Sequence, residues 1–231
     1  MLKHGKNIGK TAILQGSDSK IKNRKGFLIM KKLLSVILII AAVLTVFGAC
    51  SKTGKPVESG DYTYVVMEDN TAKITKYNGT EDIVTLDIPS SLDEYTVTVI
   101  GAEAFANVQT ITVVNFPNTL VKVEEKAFAG SSIKKAFLHK CPELTEIAAL
   151  AFSECHNLVQ VDMAHNLMTV GDQAFYYCDK LKVANFRGNT ENIAPLAFDA
   201  CRNVKIYTKS NLDKVIDYAE TYHIELKISE A

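Results

Sequence analysis

The stretch Val170-Gly171-Asp172-Gln173-Ala174-Phe175-Tyr176-Tyr177-Cys178, followed by the alternating run Leu181-Lys182-Val183-Ala184-Asn185-Phe186, decides how this chain folds. Its Ala-Phe pair recurs as Ala104-Phe105, Ala127-Phe128, Ala151-Phe152 and Ala197-Phe198, and the intervals between the phenylalanines are 23, 24, 23 and 23 residues. Five residues before each Phe stands a β-branched residue, in order Ile100, Val123, Ile147, Val170 and Ile193. Three residues after it come Val108, Ser131, Cys155, Cys178 and Cys201. A unit of this length cannot bury its own apolar face, so neighbouring units must stack into one continuous core. Each Phe becomes a rung in a buried ladder. Burying such a ring is worth about 1.5–3 kcal/mol, which explains the repetition without a catalytic role.

The first half of the unit reads as a strand and turn in Ile88-Pro89-Ser90-Ser91 and Phe116-Pro117-Asn118-Thr119, and the second as Ile100-Gly101-Ala102-Glu103-Ala104-Phe105. This pattern resembles the BspA-like, or Treponema-type, leucine-rich repeat across roughly Ile83 to Val204. Glu124, Ala148 and Ala194 replace the usual Gly, and the loop between Ile133 and Ile147 carries two extra residues and should bulge. The expected fold is α/β leaning to β, a right-handed leucine-rich-repeat solenoid of about five 23-residue repeats. The resemblance implies a binding protein, with adhesion to host matrix the role of some members.

Working outward, the repeats are assigned to residues 83–208, with caps on both sides because an uncapped solenoid exposes its core and an unpaired edge. Residues 61–82 contain the alternating runs Tyr62–Val66 and Ala72–Tyr77 around the turn Glu68-Asp69-Asn70, a β-hairpin pattern. Residues 209–231 read as a helix-strand cap, with Ser210 and Asp213 at the helix start and Leu212, Val215, Ile216, Ala219 and Tyr222 on one face before a strand from Ile224 to Ile228.

The N-terminal part addresses the chain. Leu33 to Phe47 is a 15-residue, predominantly apolar run preceded by Lys31-Lys32, the charge and core of a signal peptide, assigned to residues 30–49. Phe47-Gly48-Ala49-Cys50 resembles the lipobox of bacterial lipoproteins, which makes Cys50 the lipid-bearing residue and implies a membrane-anchored, exported protein at the cell surface. An ordinary cleaved secretory signal is the alternative. Residues 1–29 precede the signal's own start at Met30 and read as a mis-assigned extension, and residues 50–60 read as a flexible tether.

Charge narrows the partners. The whole chain has 26 basic and 26 acidic residues, but residues 1–49 hold nine of the basic residues and only Asp18 among the acids. From Cys50 onward, 17 basic residues face 25 acidic ones, a formal net charge of −8. Such a domain repels phosphate backbones, so no nucleic-acid partner is expected.

Cys155, Cys178 and Cys201 share one repeat position and should stack about 4.8 Å apart, close enough for a disulfide between adjacent rungs, although three cannot all pair. Because Val108 and Ser131 hold the same position elsewhere, small inert buried thiols are the favoured reading, with Cys141 in the enlarged loop the more exposed thiol. Cys141, Cys155, His156 and His139 lack the spacing of a zinc site, and no catalytic triad or phosphate loop occurs. The chain is therefore expected to be no enzyme, with no metal and no cofactor.

What remains is a recognition face made of outward strand positions: Val113 and Asn115, Lys135 and Phe137, Gln160 and Asp162, Val183 and Asn185, with Arg187 just beyond. The expected ligand is a protein or a glycan, and the alternative role is envelope assembly through the bacterium's own components. Phe137 is either an exposed binding anchor or, if the enlarged loop shifts the register, a buried residue.

Overall fold

The computed structural model describes residues 54–229, apart from 82 and 189. The expected extension, signal peptide and lipidation site at Cys50 lie outside the described residues. Three strands come first: β1 (Pro56–Ser59), β2 (Tyr62–Val66) and β3 (Ala72–Tyr77). The repeats supply β4 (Thr85–Asp87), β5 (Ser91–Leu92), β6 (Tyr95–Ile100), β7 (Val113–Asn115), β8 (Lys122–Val123), β9 (Lys135–Phe137), β10 (Glu146–Ile147), β11 (Gln160–Asp162), β12 (Thr169–Val170), β13 (Val183–Asn185) and β14 (Asn192–Ile193). The chain continues through β15 (Lys205–Lys209), helix α1 (Asp213–Thr221) and β16 (Glu225–Ser229).

Alternate strands build two sheets. One runs β16-β15-β13-β11-β9-β7-β4 with parallel pairing throughout, and the other stacks β3, β6, β8, β10, β12 and β14 in parallel behind the antiparallel β1 and β2. The β-branched residue of each unit lies in the second sheet, where Ile100, Val123, Ile147 and Val170 are fully buried. Stacking goes beyond the five units marked by Ala-Phe, because the first sheet has seven strands. The extra strands belong to end units that lack the Ala-Phe pair.

Between the sheets runs the aromatic ladder. Phe105, Phe128, Phe152, Phe175 and Phe198 stack with ring centroids 4.9, 5.1, 5.3 and 5.1 Å apart and planes within 11° of parallel, inside the range favoured by offset rings. Each of the first four Phe sits in a turn flanked on both sides by residues of positive φ, such as Gln173 (53°) and Tyr177 (53°) around Phe175, whereas Phe198 has only Ala200 (59°) after it. Backbone bonds tie each turn to the next: Phe105, Phe128, Phe152 and Phe175 donate their N–H to the carbonyls of Ala127, Ala151, Ala174 and Ala197 at 2.7–2.8 Å. Close approach explains the glycines, since a Cβ on Gly171 would lie 2.5 Å from the Ala149 nitrogen.

The cysteines satisfy the same turns. Cys155, Cys178 and Cys201 donate their thiols to the carbonyls of Phe128, Phe152 and Phe175 at 3.1, 3.1 and 3.0 Å. Those carbonyls also accept the N–H of Ser131, Cys155 and Cys178 of their own units, so both lone pairs are used. All four described cysteines are free thiols. Cys141 corrects the expectation of exposure: it is fully buried, and burial pushes its thiol up to about 12. Its loop closes as a 3-10 turn over Leu138–Lys140, with Leu138 and Cys141 both facing the core.

Both caps take the expected type and differ in detail. Pro56–Ser59, read as part of the tether, is strand β1 and pairs antiparallel with β2, because the alternating β2 leaves an edge for it. At the other end Leu212 occupies the N-cap position with no side-chain cap, so Ser210 does not cap the helix. Tyr218 rather than Tyr222 is buried on the helix's inner face beside Leu212, Val215 and Ala219.

Candidate functional site

The parallel pairing of the seven-stranded sheet brings outward side chains into register. Val113, Lys135, Gln160, Val183, Lys205 and Glu225 form one column, and Phe137, Asp162, Asn185, Tyr207 and Lys227 form a second. Asn115 pairs with Asp87 and donates its amide to that carboxylate at 2.6 Å. The inward positions between the columns, Val114, Ala136, Val161, Ala184 and Ile206, are buried in the core. Side chains of the columns can therefore vary without disturbing the packing.

Phe137 stays outward. Its strand keeps the alternation, with Lys135 exposed, Ala136 fully buried and Phe137 half-buried, so the added loop residues do not shift the register. They are absorbed by the 3-10 turn after the strand. Lys135 Nζ lies 5.9 Å from the Phe137 ring centre, and the His139 ring stands edge-on to it at 5.9 Å.

Asp162 departs from the expected exposed ribbon, because it is only 4% exposed. Neighbouring side chains close over it: Gln160 Nε2 and Asn185 Nδ2 donate to Oδ1 at 2.9 and 2.7 Å, and Arg187 Nη2 approaches Oδ2 at 3.5 Å. Burial pushes the carboxyl up, but those two amides, Arg187 and His139 together hold it below the usual carboxylate range. His139 Nδ1 sits 3.5 Å from Oδ2 without a hydrogen bond. Burial and the adjacent Arg187 push that imidazole down, against the pull of Asp162. Asp162 thus organises the centre of the face, and Gln160, Asn185 and Arg187 are the groups it orients.

Val113, Asn115, Gln160, Val183 and Asn185 are half-buried, whereas Lys135 and Arg187 are exposed. The face also continues past the residues anticipated from the repeats, onto Tyr207 and Lys227, which pair in register with Asn185 and with each other. The missed signal is the alternation Lys205-Ile206-Tyr207-Thr208-Lys209, a strand without an Ala-Phe turn behind it. A concavity of about 680 Å³ opens there, among Asn185, Arg187, Tyr207, Lys209 and Lys227. Another, of about 1000 Å³, lies between the last Ala-Phe turn and α1 and reaches the face only at Lys205 and Glu225. Among the described residues, no group of three or more His, Cys, Asp or Glu is placed to hold a metal ion.

Comparison with known proteins agrees with this geometry. The chain is 27% identical to a leucine-rich repeat protein from Bacteroides capillosus, covering 65% of this chain and 97% of that one with a TM-score of 0.40. It is 15% identical to the pneumococcal vaccine antigen PcpA, with a TM-score of 0.53 over 76% of this chain and 50% of that chain, a likeness of fold alone. The leucine-rich repeat protein of T. pallidum is 17% identical, with 77% of this chain and 100% of that chain covered and a TM-score of 0.43. No curated protein matches the chain. The family pattern described as the BspA type leucine rich repeat region matches residues 73–205 in six copies, one more than the Ala-Phe pairs suggest. A stacked aromatic ladder, paired parallel sheets and that match together make the chain a member of the BspA-type leucine-rich repeat family.

Proposed function

We propose that this protein is a bacterial surface lipoprotein, carried on Cys50, whose seven-stranded parallel sheet binds a macromolecular ligand. One observation carries the reading: outward side chains stand in register across the sheet while the alternate positions of the same strands are buried in the core. Phe137 and Lys135 supply an apolar and a cationic contact at one end, and Asn185 and Arg187 are held in place by the buried Asp162. No step of chemistry is required, since the face offers recognition groups rather than a nucleophile with a base. Adhesion to host matrix is the role this arrangement serves in our reading.

Capture of binding partners by the detergent-solubilised protein tests this, with host mucosal matrix and the bacterium's own envelope as parallel extracts. Phe137→Ala and Lys135→Glu, checked for folding, serve as paired variants. A host component retained by the native protein and weakened by both changes supports adhesion. An envelope component with the same sensitivity moves the role to assembly, and retention indifferent to both changes overturns binding through this face. Loss of membrane retention in Cys50→Ser tests the anchor.

A further inference from the structure

The domain that begins at Cys50 carries 17 basic residues against 25 acidic ones, yet the concavity at the C-terminal end of the recognition face has the opposite sign. Arg187, Lys209 and Lys227 line it together with His165 and Tyr207, and among the described residues no Asp or Glu does. Among the described residues, the nearest carboxylates are already committed. Asp162 is buried under Gln160, Asn185 and Arg187, and Glu225 lies 2.9 Å from both Lys205 and Lys227. Lys209 has no ion pair among the described residues. Among the described residues, the three cations of the lining, Arg187, Lys209 and Lys227, and the adjacent Lys205 thus meet two carboxylates, which leaves an excess of positive charge.

Tyr207 stands among these cations. It is 37% exposed and in register between Asn185 and Lys227. Lys227 on β16 is in register with Tyr207 across the strand spacing of about 4.8 Å, and Lys209 is the next outward residue along β15, about 7 Å away, so the ring has a cation beside it in both directions. An aromatic face takes the apolar face of a pyranose, and cations on either side take its charged substituents. A neutral sugar leaves the excess charge unanswered. An acidic peptide answers the charge but has no group that needs the ring.

Resting on the proposed binding role of the face, we propose that this concavity binds an acidic saccharide, a chain of sugars bearing carboxylate or sulfate groups. The charge contrast with the rest of the domain is what selects the ligand, and Tyr207 provides the platform on which a sugar ring lies. Recognition is salt-dependent, because the lysines sit in water rather than in the core.

The test measures binding of the full chain in non-ionic detergent to immobilised heparin and polygalacturonate, with dextran and polyglutamate as comparisons. The paired variants are Lys209→Gln with Lys227→Gln, and Tyr207→Ala, each checked for native circular dichroism. The expected result is retention on at least one acidic polysaccharide and none on dextran, with release at about 0.5 M salt. The double lysine change weakens retention about tenfold or more, and Tyr207→Ala weakens it several-fold. No retention on either acidic polysaccharide, or retention unchanged in the double variant, overturns the proposal. So does polyglutamate held as tightly and indifferent to Tyr207→Ala, which would mark an acidic-peptide site. If Phe137→Ala and Lys135→Glu still weaken capture of an extract component while the lysine changes do not, the saccharide falls and the recognition face stands. If no substitution anywhere on the face matters, both fall.

Discussion

Tyr77 lies against Phe105 with ring centroids 5.4 Å apart and planes 19° from parallel, and its backbone N–H donates to the Ala104 carbonyl at 2.8 Å. It thereby fills the ladder position that a phenylalanine fills in every later unit. On its other side Tyr62 packs at 5.6 Å, tilted by 58°, and the stacking stops. The N-terminal cap is thus a repeat in its inward groups and a hairpin in its pairing.

An interior rung has two such neighbours. Phe152 stacks on Phe128 and Phe175 at 5.1 and 5.3 Å and is fully buried. Phe152→Ala is expected to cost about 3–5 kcal/mol in chemical denaturation. Because each unit contacts only its neighbours, the loss should break the array at that rung, which hydrogen exchange would show as lowered protection in the units beside it.

Tyr218 closes the opposite end. Its ring lies 6.2 Å from Phe198, and its hydroxyl donates to the Pro195 carbonyl at 3.4 Å. Tyr218→Phe keeps the ring and removes the hydroxyl, so it should cost about 0.5–1.5 kcal/mol. A loss near that of an interior ring would mean the hydroxyl has a larger role, and equilibrium unfolding of the single variant decides.

The thiols differ in access rather than in kind. Cys141, Cys155 and Cys178 are fully buried, burial pushes the Cys141 and Cys178 thiols up, and Cys201 is half-buried beside the groove at α1. Native alkylation should label Cys201 at least about tenfold faster than the other three. Mass spectrometry of the labelled peptides reads this directly, and equal labelling of Cys141 would contradict its burial.

Asp162 makes stability depend on acid. Its folded carboxyl is held below the usual range, so its contribution is present above the unfolded pKa of about 3.9 and is lost as the pH falls through the lower, folded value. Asp162→Asn should cost about 1–3 kcal/mol at neutral pH and progressively less below about pH 4. Denaturation curves of the two proteins between neutral and strongly acidic pH would show the gap closing. A gap independent of pH would place the cost in packing instead.

The interior of this fold could be read from the chain because one ring and one β-branched residue recur at fixed intervals, and only stacking buries them. The end rungs were hidden for the same reason. Tyr77 and Tyr218 do the work of the repeated Phe without the Ala-Phe signature, so the strand carrying Tyr207 was not counted with the face. Alternation gives the outward positions of the strands, but it left Phe137 open between outside and buried, and only the 3-10 turn that takes up the extra residues shows why its register is kept. Alternation says nothing of what neighbours do to an outward group, and Asp162 became buried because Gln160, Asn185 and Arg187, up to 25 residues away in sequence, all reach it. Loop length misled in a similar way for Cys141, whose extra residues coil inward as a 3-10 turn.

The turn-to-turn amide bonds all point one way, from each Phe to the following Ala, so every junction inside the array presents the same donors and acceptors. Duplication of a whole internal unit therefore creates two junctions like those it replaces, and loss of one restores a junction of the same kind. Genes for such a chain can change length by in-frame unequal exchange without inventing a new interface, provided that the tyrosine-bearing ends are kept. The recognition face lengthens or shortens by one strand each time, which makes its reach a heritable variable separate from the stability of the fold.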